Sequence, residues 1–230
     1  MPSTPNDSHA PRREFLERIA GVAGGAALLA AGGLAAACAP PAAAPVAATD
    51  DEPWLKPLTG KHKQVFDGAK VNDAFPLMFA AGYLATMTET YKLKAGEANA
   101  FIVLRHFGTP LGLMDSVWQK YKIGAMLGIM DPATKKPSER NFVWNPKPGD
   151  MMNTDASADK MVKMPGVVIG VCGFAIKVLS GMAAKGAGVT PEVAAQEWTA
   201  GVIPGAMVVP SGVLAVGRAQ EHGCTYCFAG

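Results

Sequence analysis

The chain has 230 residues, of which 49% are hydrophobic and 17% charged, so it can bury a core, and wholesale disorder is excluded. The formal charge is only +2, from 21 basic and 19 acidic residues, which leaves no basic stripe for nucleic acid and no acidic tail. Four cysteines are too few to build a disulfide scaffold.

The N-terminus has the anatomy of an export signal. Polar residues lead into Arg12-Arg13-Glu14-Phe15-Leu16, and an Ala/Gly-rich apolar run follows from Ile19 to Cys38. The pair Arg12-Arg13 with Phe15-Leu16 resembles the twin-arginine export motif, with Pro11 and Glu17 departing from its usual residues. An uncleaved anchor is the alternative, because Ile19–Ala37 could just cross a bilayer. Cleavage after Ala37 or Ala48 fits the small residues there, and cleavage before Cys38 would leave a lipid-bearing cysteine. Residues 1–48 thus read as signal and Pro/Ala linker, residues 49–230 as the working domain, and the site of work as periplasmic or otherwise exported.

Along that domain the elements follow in order. His62–Phe66 reads as a strand ended by Asp67-Gly68, and Asp73 as the cap of a helix through about Tyr91. Phe101–Leu104 reads as a buried strand and Leu113–Tyr121 as a helix. Residues 131–158, with Pro132, Pro137, Pro146 and Pro148 and few aliphatics, read as a long surface loop or partly ordered insertion, with a short helix from Ser157 to Met164 at its end. Val167–Val171 is the clearest strand, a β-branched run of the kind buried on both faces. A helix follows from about Phe174 to Ala184, and another starts at Thr190-Pro191 and runs to about Thr199. Ala206–Val209 is the next strand, and Val213–His222 a last helix stopped by Gly223. Alternating strands and helices predict an α/β fold: a single three-layer domain, a mainly parallel sheet with helices on both faces.

In such a fold chemistry gathers at the carboxyl ends of the strands. Cys172 ends the most apolar strand and opens a helix, whose N-terminus favours the reactive thiolate; a packed structural cysteine is the alternative. His106 follows a strand beside Arg105 and could help hold an anion or share a proton with a thiol. Ser211 stands at another strand-to-helix corner, outside any Gly-x-Ser-x-Gly context. Cys224 and Cys227 form a C-x-x-C with no following His, which excludes a c-type haem attachment motif and leaves a local disulfide, a labile dithiol or an inert packed tail. No P-loop, dinucleotide fingerprint or zinc-protease motif is present, and no cofactor is expected.

Several stretches resemble the exported, twin-arginine members of the DsrE/DsrF-like family. They are Trp54-Leu55 with Gly60-Lys61-His62-Lys63-Gln64-Val65-Phe66-Asp67, Val117-Trp118-Gln119-Lys120-Tyr121-Lys122-Ile123-Gly124, Asp131-Pro132-Ala133-Thr134, the apolar strand into Cys172, and the ending from Gly212 to Cys227. The resemblance implies a compact α/β fold that assembles as a homo-oligomer, a trimer or hexamer. It also implies a cysteine that accepts sulfur as a persulfide, and Cys172 is the match to that position. The leading expectation is therefore an exported sulfur-handling protein in which Cys172, assisted by His106, takes sulfur from a sulfane donor and passes it to an acceptor. The alternatives are a thiol-redox or soft-metal module at Cys224 and Cys227 with His222 nearby, and a non-catalytic module that binds a small ligand or partner at the strand ends.

Overall fold

The computed structural model describes residue 47 and residues 49–230. The readings at Arg12, Arg13, the apolar run and Cys38 lie outside the described residues. Five strands form one all-parallel sheet: β1 (His62–Gly68), β2 (Ala98–Leu104), β3 (Val167–Cys172), β4 (Met207–Val209) and β5 (Thr225–Phe228), in the spatial order β4-β3-β2-β1-β5. The helices are α1 (Phe75–Tyr91), α2 (Asp115–Lys120), α3 (Ile123–Leu127), α4 (Ala158–Met161), α5 (Gly173–Ala184), α6 (Pro191–Ala200) and α7 (Gly212–Glu221). This is the three-layer α/β architecture that the alternating pattern predicts.

The strand order explains the layers. From β1 to β4 each connection steps one strand in the same direction, so right-handed crossovers put their helices on one face. The connection from β4 to β5 runs back past β1, so its helix α7 must cover the other face. The core divides accordingly. On the first face Phe66, Ile102, Ile169 and Val171 pack with Leu77, Trp118, Ile176, Leu179 and Trp198. On the second face Val65, Phe101, Val103 and Val168 pack with Ala215 and Ala219 of α7 and with Trp54, Leu55 and Leu58. Alternate residues of one strand therefore serve opposite cores, and β2 and β3 are buried throughout. Gly170 of β3 leaves room for the ring of Phe101, which would stand only 2.8 Å from any Cβ placed there.

Three expectations change in detail. Asp73 does not cap α1: Asn72, Asp73 and Ala74 all have positive φ, Ala74 holds the cap position without a side-chain bond, and Pro76 lies in the first turn. The left-handed turn at residues 72–74 shifts the cap position one residue past Asp73. The helix after β2 is shorter than Leu113–Tyr121, because Leu113 and Met114 are still extended, so it starts at Asp115, and it stops at Lys120 with Tyr121 as its cap. The residues after α7 form β5, a strand rather than a tail.

Residues 128–157 contain no helix or strand, yet they are not a loose surface loop. Arg140, nearly buried, donates from Nε to Asp131 at 2.5 Å and from Nη1 and Nη2 to Asp150 at 2.6 and 2.8 Å. Asn141 donates to the Leu111 and Leu113 carbonyls, each at 2.8 Å, and its own amide donates to Asp115. Val143 and Met152 are buried in the first core. Polar residues replace aliphatic ones here because the segment is held by a charged clamp. No helix among the described residues is long and apolar enough to cross a membrane.

Candidate functional site

β3 delivers Cys172 to the carboxyl edge of the sheet, where it is only 4% exposed. Its backbone is still extended, so the chain turns into α5 immediately after it and Cys172 becomes the N-cap of that helix. The sulfur takes the place of the usual capping oxygen and accepts the amide of Ala175 at 3.3 Å. A second helix does the same from the side: the amide of Gly212, at the start of α7, donates to the same sulfur at 3.0 Å. Both helices have ten or more residues, so two macrodipoles point their positive ends at one thiol. The corner between them is closed by the Phe174 amide, which donates to the Pro210 carbonyl at 3.1 Å.

Gly212 can approach this closely only because it has no side chain. A Cβ at that position would run into the Cβ of Arg105 and crowd its Cγ at 3.2 Å.

Arg105 follows β2 and stands beside Cys172 in the same cleft. It does not offer its charge freely. Its Nε and Nη2 donate to the two oxygens of Asp67 at 2.6 and 2.8 Å, a bidentate pair in which Asp67 is 3% exposed. That hydrogen bonding to Asp67 pushes the guanidinium above its already high ordinary value, against the opposing effect of burial. Tyr226 of β5 donates its hydroxyl to Asp67 at 2.9 Å, and burial followed by this bond pushes the phenol upward. Asp67 thus ties β5, β1 and β2 together at the point where the strand order reverses.

The cleft at Cys172 has a volume of about 270 Å³. Arg105, His106, Phe107, Ser211 and Cys172 line one part of it, and Phe174, Val178, Met182 and Val213 form an apolar wall. Those wall residues and Phe107 are all largely exposed, with Phe174 at 65% and Val213 at 69%. His106 is exposed on the rim, in the left-handed region, with its ring 4.1 Å from that of Phe107. The structure therefore brings together Cys172, His106, Arg105 and Ser211, the residues that the sequence places at strand ends.

Cys224 and Cys227 are not a disulfide; both are free thiols. Three steps along an extended chain set their Cα atoms about 10 Å apart, beyond the roughly 7 Å a bridge can span. They also serve opposite cores, Cys224 beside Trp54 and Leu55 and Cys227 against the first cluster. Burial raises the Cys224 thiol to about 11 and also raises that of Cys227, so neither is poised as a thiolate. Among the described residues no group of three or more His, Cys, Asp or Glu could hold a metal ion. His222 lies 3.3 Å from the Leu58 carbonyl through Nε2.

Asp67, Tyr226, Gly212 and the apolar wall escape a reading by motif. Asp67 had a visible signal, an acidic residue at the carboxyl end of a buried strand, but its partners lie 38 and 159 residues away.

No protein-family model matches the chain, and no curated protein matches it. Among solved structures, a protein of unknown function from Methanobacterium thermoautotrophicum is similar at 14% identity, over 73% of this chain and 99% of that one, with a TM-score of 0.33.

Proposed function

We propose that this is an exported protein that handles sulfane sulfur through a persulfide on Cys172. The observation that carries the reading is the sulfur itself, which accepts amides from the N-termini of two different helices. Such a setting stabilises negative charge on sulfur, whether as thiolate or as persulfide. The Cys172 thiolate attacks the outer sulfur of the donor. One sulfur–sulfur bond forms, the donor's sulfur–sulfur bond breaks, and the electron pair leaves with the departing group, sulfite if the donor is thiosulfate. An acceptor thiolate then takes the outer sulfur by the same exchange and restores the Cys172 thiolate. His106, on the rim, is the candidate to hand a proton to a leaving sulfur. The twin-arginine resemblance of Arg12-Arg13 carries the export part of the proposal.

The test is direct. The full chain is treated with thiosulfate or polysulfide, digested without reductant, and its peptides weighed. A gain of one sulfur atom on the peptide bearing Cys172, absent from Cys172→Ser, is the expected result. An unmodified Cys172 in folded protein, or equal loading of Cys172→Ser, overturns the proposal.

A further inference from the structure

The walls of the Cys172 cleft speak to which kind of donor it takes, an inference that rests on the persulfide reading above. A charged donor such as thiosulfate needs hydrogen-bond donors or an unpaired cation for its sulfonate oxygens. The amides that reach the sulfur or close its corner are committed: those of Ala175 and Gly212 to Cys172, and that of Phe174 to the Pro210 carbonyl. Arg105, the one arginine in the cleft, is neutralised by its bidentate pairing with the buried Asp67. His106 and Ser211 stand on the polar side of the cleft, and the remaining surface is apolar and exposed without a covering segment of the described chain: Phe107, Phe174, Val178, Met182 and Val213. A volume of about 270 Å³ suits one small group, since ordinary ligand pockets run from roughly 300 to 1,000 Å³.

We infer that the sulfur donor is a neutral hydropersulfide on a small apolar carbon group, an alkyl or aryl R–S–SH. The R group lies against Phe174, Val178, Met182 and Val213, and the outer sulfur faces Cys172. The Cys172 thiolate attacks that outer sulfur, the new Cys172–sulfur bond replaces the bond between the two donor sulfurs, and R–S⁻ leaves with the electron pair. The outer sulfur keeps its proton until the persulfide ionises under the two helix N-termini. No oxidant or reductant is consumed.

The experiment uses the full chain and three donors: benzyl hydropersulfide, glutathione hydropersulfide and thiosulfate. Loading of the Cys172 peptide is followed by mass, and each rate is divided by that of N-acetylcysteine with the same donor, which removes the donors' intrinsic reactivity. The expected result is a normalised preference of about tenfold or more for the benzyl donor, the order given by burying an apolar group of that size. Phe174→Asp, at an exposed position where folding is tolerant, should remove most of that preference. Equal or faster normalised loading by glutathione hydropersulfide or thiosulfate overturns the donor class and leaves the persulfide at Cys172 standing. A preference that survives Phe174→Asp overturns the placement of R on this wall. Failure of Cys172 to load with any of the three, in protein of unchanged circular dichroism, overturns the underlying persulfide reading itself.

Discussion

At the scale of single residues, Cys172 depends on a glycine forty positions away. Gly212→Ala forces either the Arg105 side chain or the start of α7 to move, because the added methyl and the Arg105 Cβ claim the same space. Overpacking of this kind costs about 1–3 kcal/mol. We expect a lower urea midpoint and slower sulfur loading at Cys172, both measured on the same preparation; wild-type values for both would mean that the corner is looser than its geometry implies. The comparison with the sequence is sharpest here. Cys172 is legible because a run of β-branched residues ends at it and a helix begins. The second amide, from Gly212, is not legible, since only the return of the chain over the opposite face brings it near. The same holds for Arg105, visible in the sequence only as the neighbour of His106: its pairing with Asp67, which Tyr226 also reaches, spans strands far apart in the chain.

At the scale of elements, the segment from 128 to 157 shows how charge replaces secondary structure. Its prolines and scarce aliphatics correctly exclude helix and strand, but nothing in their spacing announces that Arg140 closes on Asp131 and Asp150. Arg140→Met leaves two buried carboxylates without their cation, held only by backbone amides, and breaking a buried pair this way costs about 3–5 kcal/mol. The expected outcome is a lower unfolding temperature together with new protease cleavage between residues 128 and 157, with Cys172 loading retained at temperatures where the sheet is intact. An unchanged cleavage pattern would show that Asn141 and the buried Val143 and Met152 suffice. Strand β5 was illegible for a related reason. Its four residues are mostly exposed and carry no alternating apolar pattern, so only pairing with β1 defines them.

At the scale of the whole molecule, three carboxylates paired with two arginines link stability to pH. The hydrogen bond from Arg218 holds the Glu52 carboxyl down to about 2, fastening the segment before β1 onto α7. Burial alone would raise Asp131, but Arg140 and the amides of Thr134 and Ala133 outweigh it and bring it to about 2. Asp150 is lowered too, chiefly by Arg140. Each group is ionised in the fold at a pH where the unfolded chain binds a proton, so its stabilisation is complete above the ordinary values of 4.5 and 3.8 and is lost as pH falls towards 2. Urea midpoints should therefore decline between about pH 4.5 and 2. In Glu52→Gln the upper part of that decline should flatten; a curve parallel to wild type would remove Glu52 from the account. The homo-oligomer that the sequence's resemblance to the DsrE/DsrF-like family implies is a proposal tested at this scale. We expect light scattering to give the mass of three or six chains, and a monomer would count against it.

The pairing of β5 with β1 has a consequence in time. Tyr226 and Asp67 are 159 residues apart, while β1 and β2 are joined through one helix. Closing so long a loop is slow, and β1 is made early. Until β5 arrives, one side of β1 is a bare row of amides and carbonyls beside Val65 and Phe66, an edge able to recruit a second chain. That particular edge is therefore open to a second chain only in the interval before β5 arrives, and the pairing of four residues is what ends it.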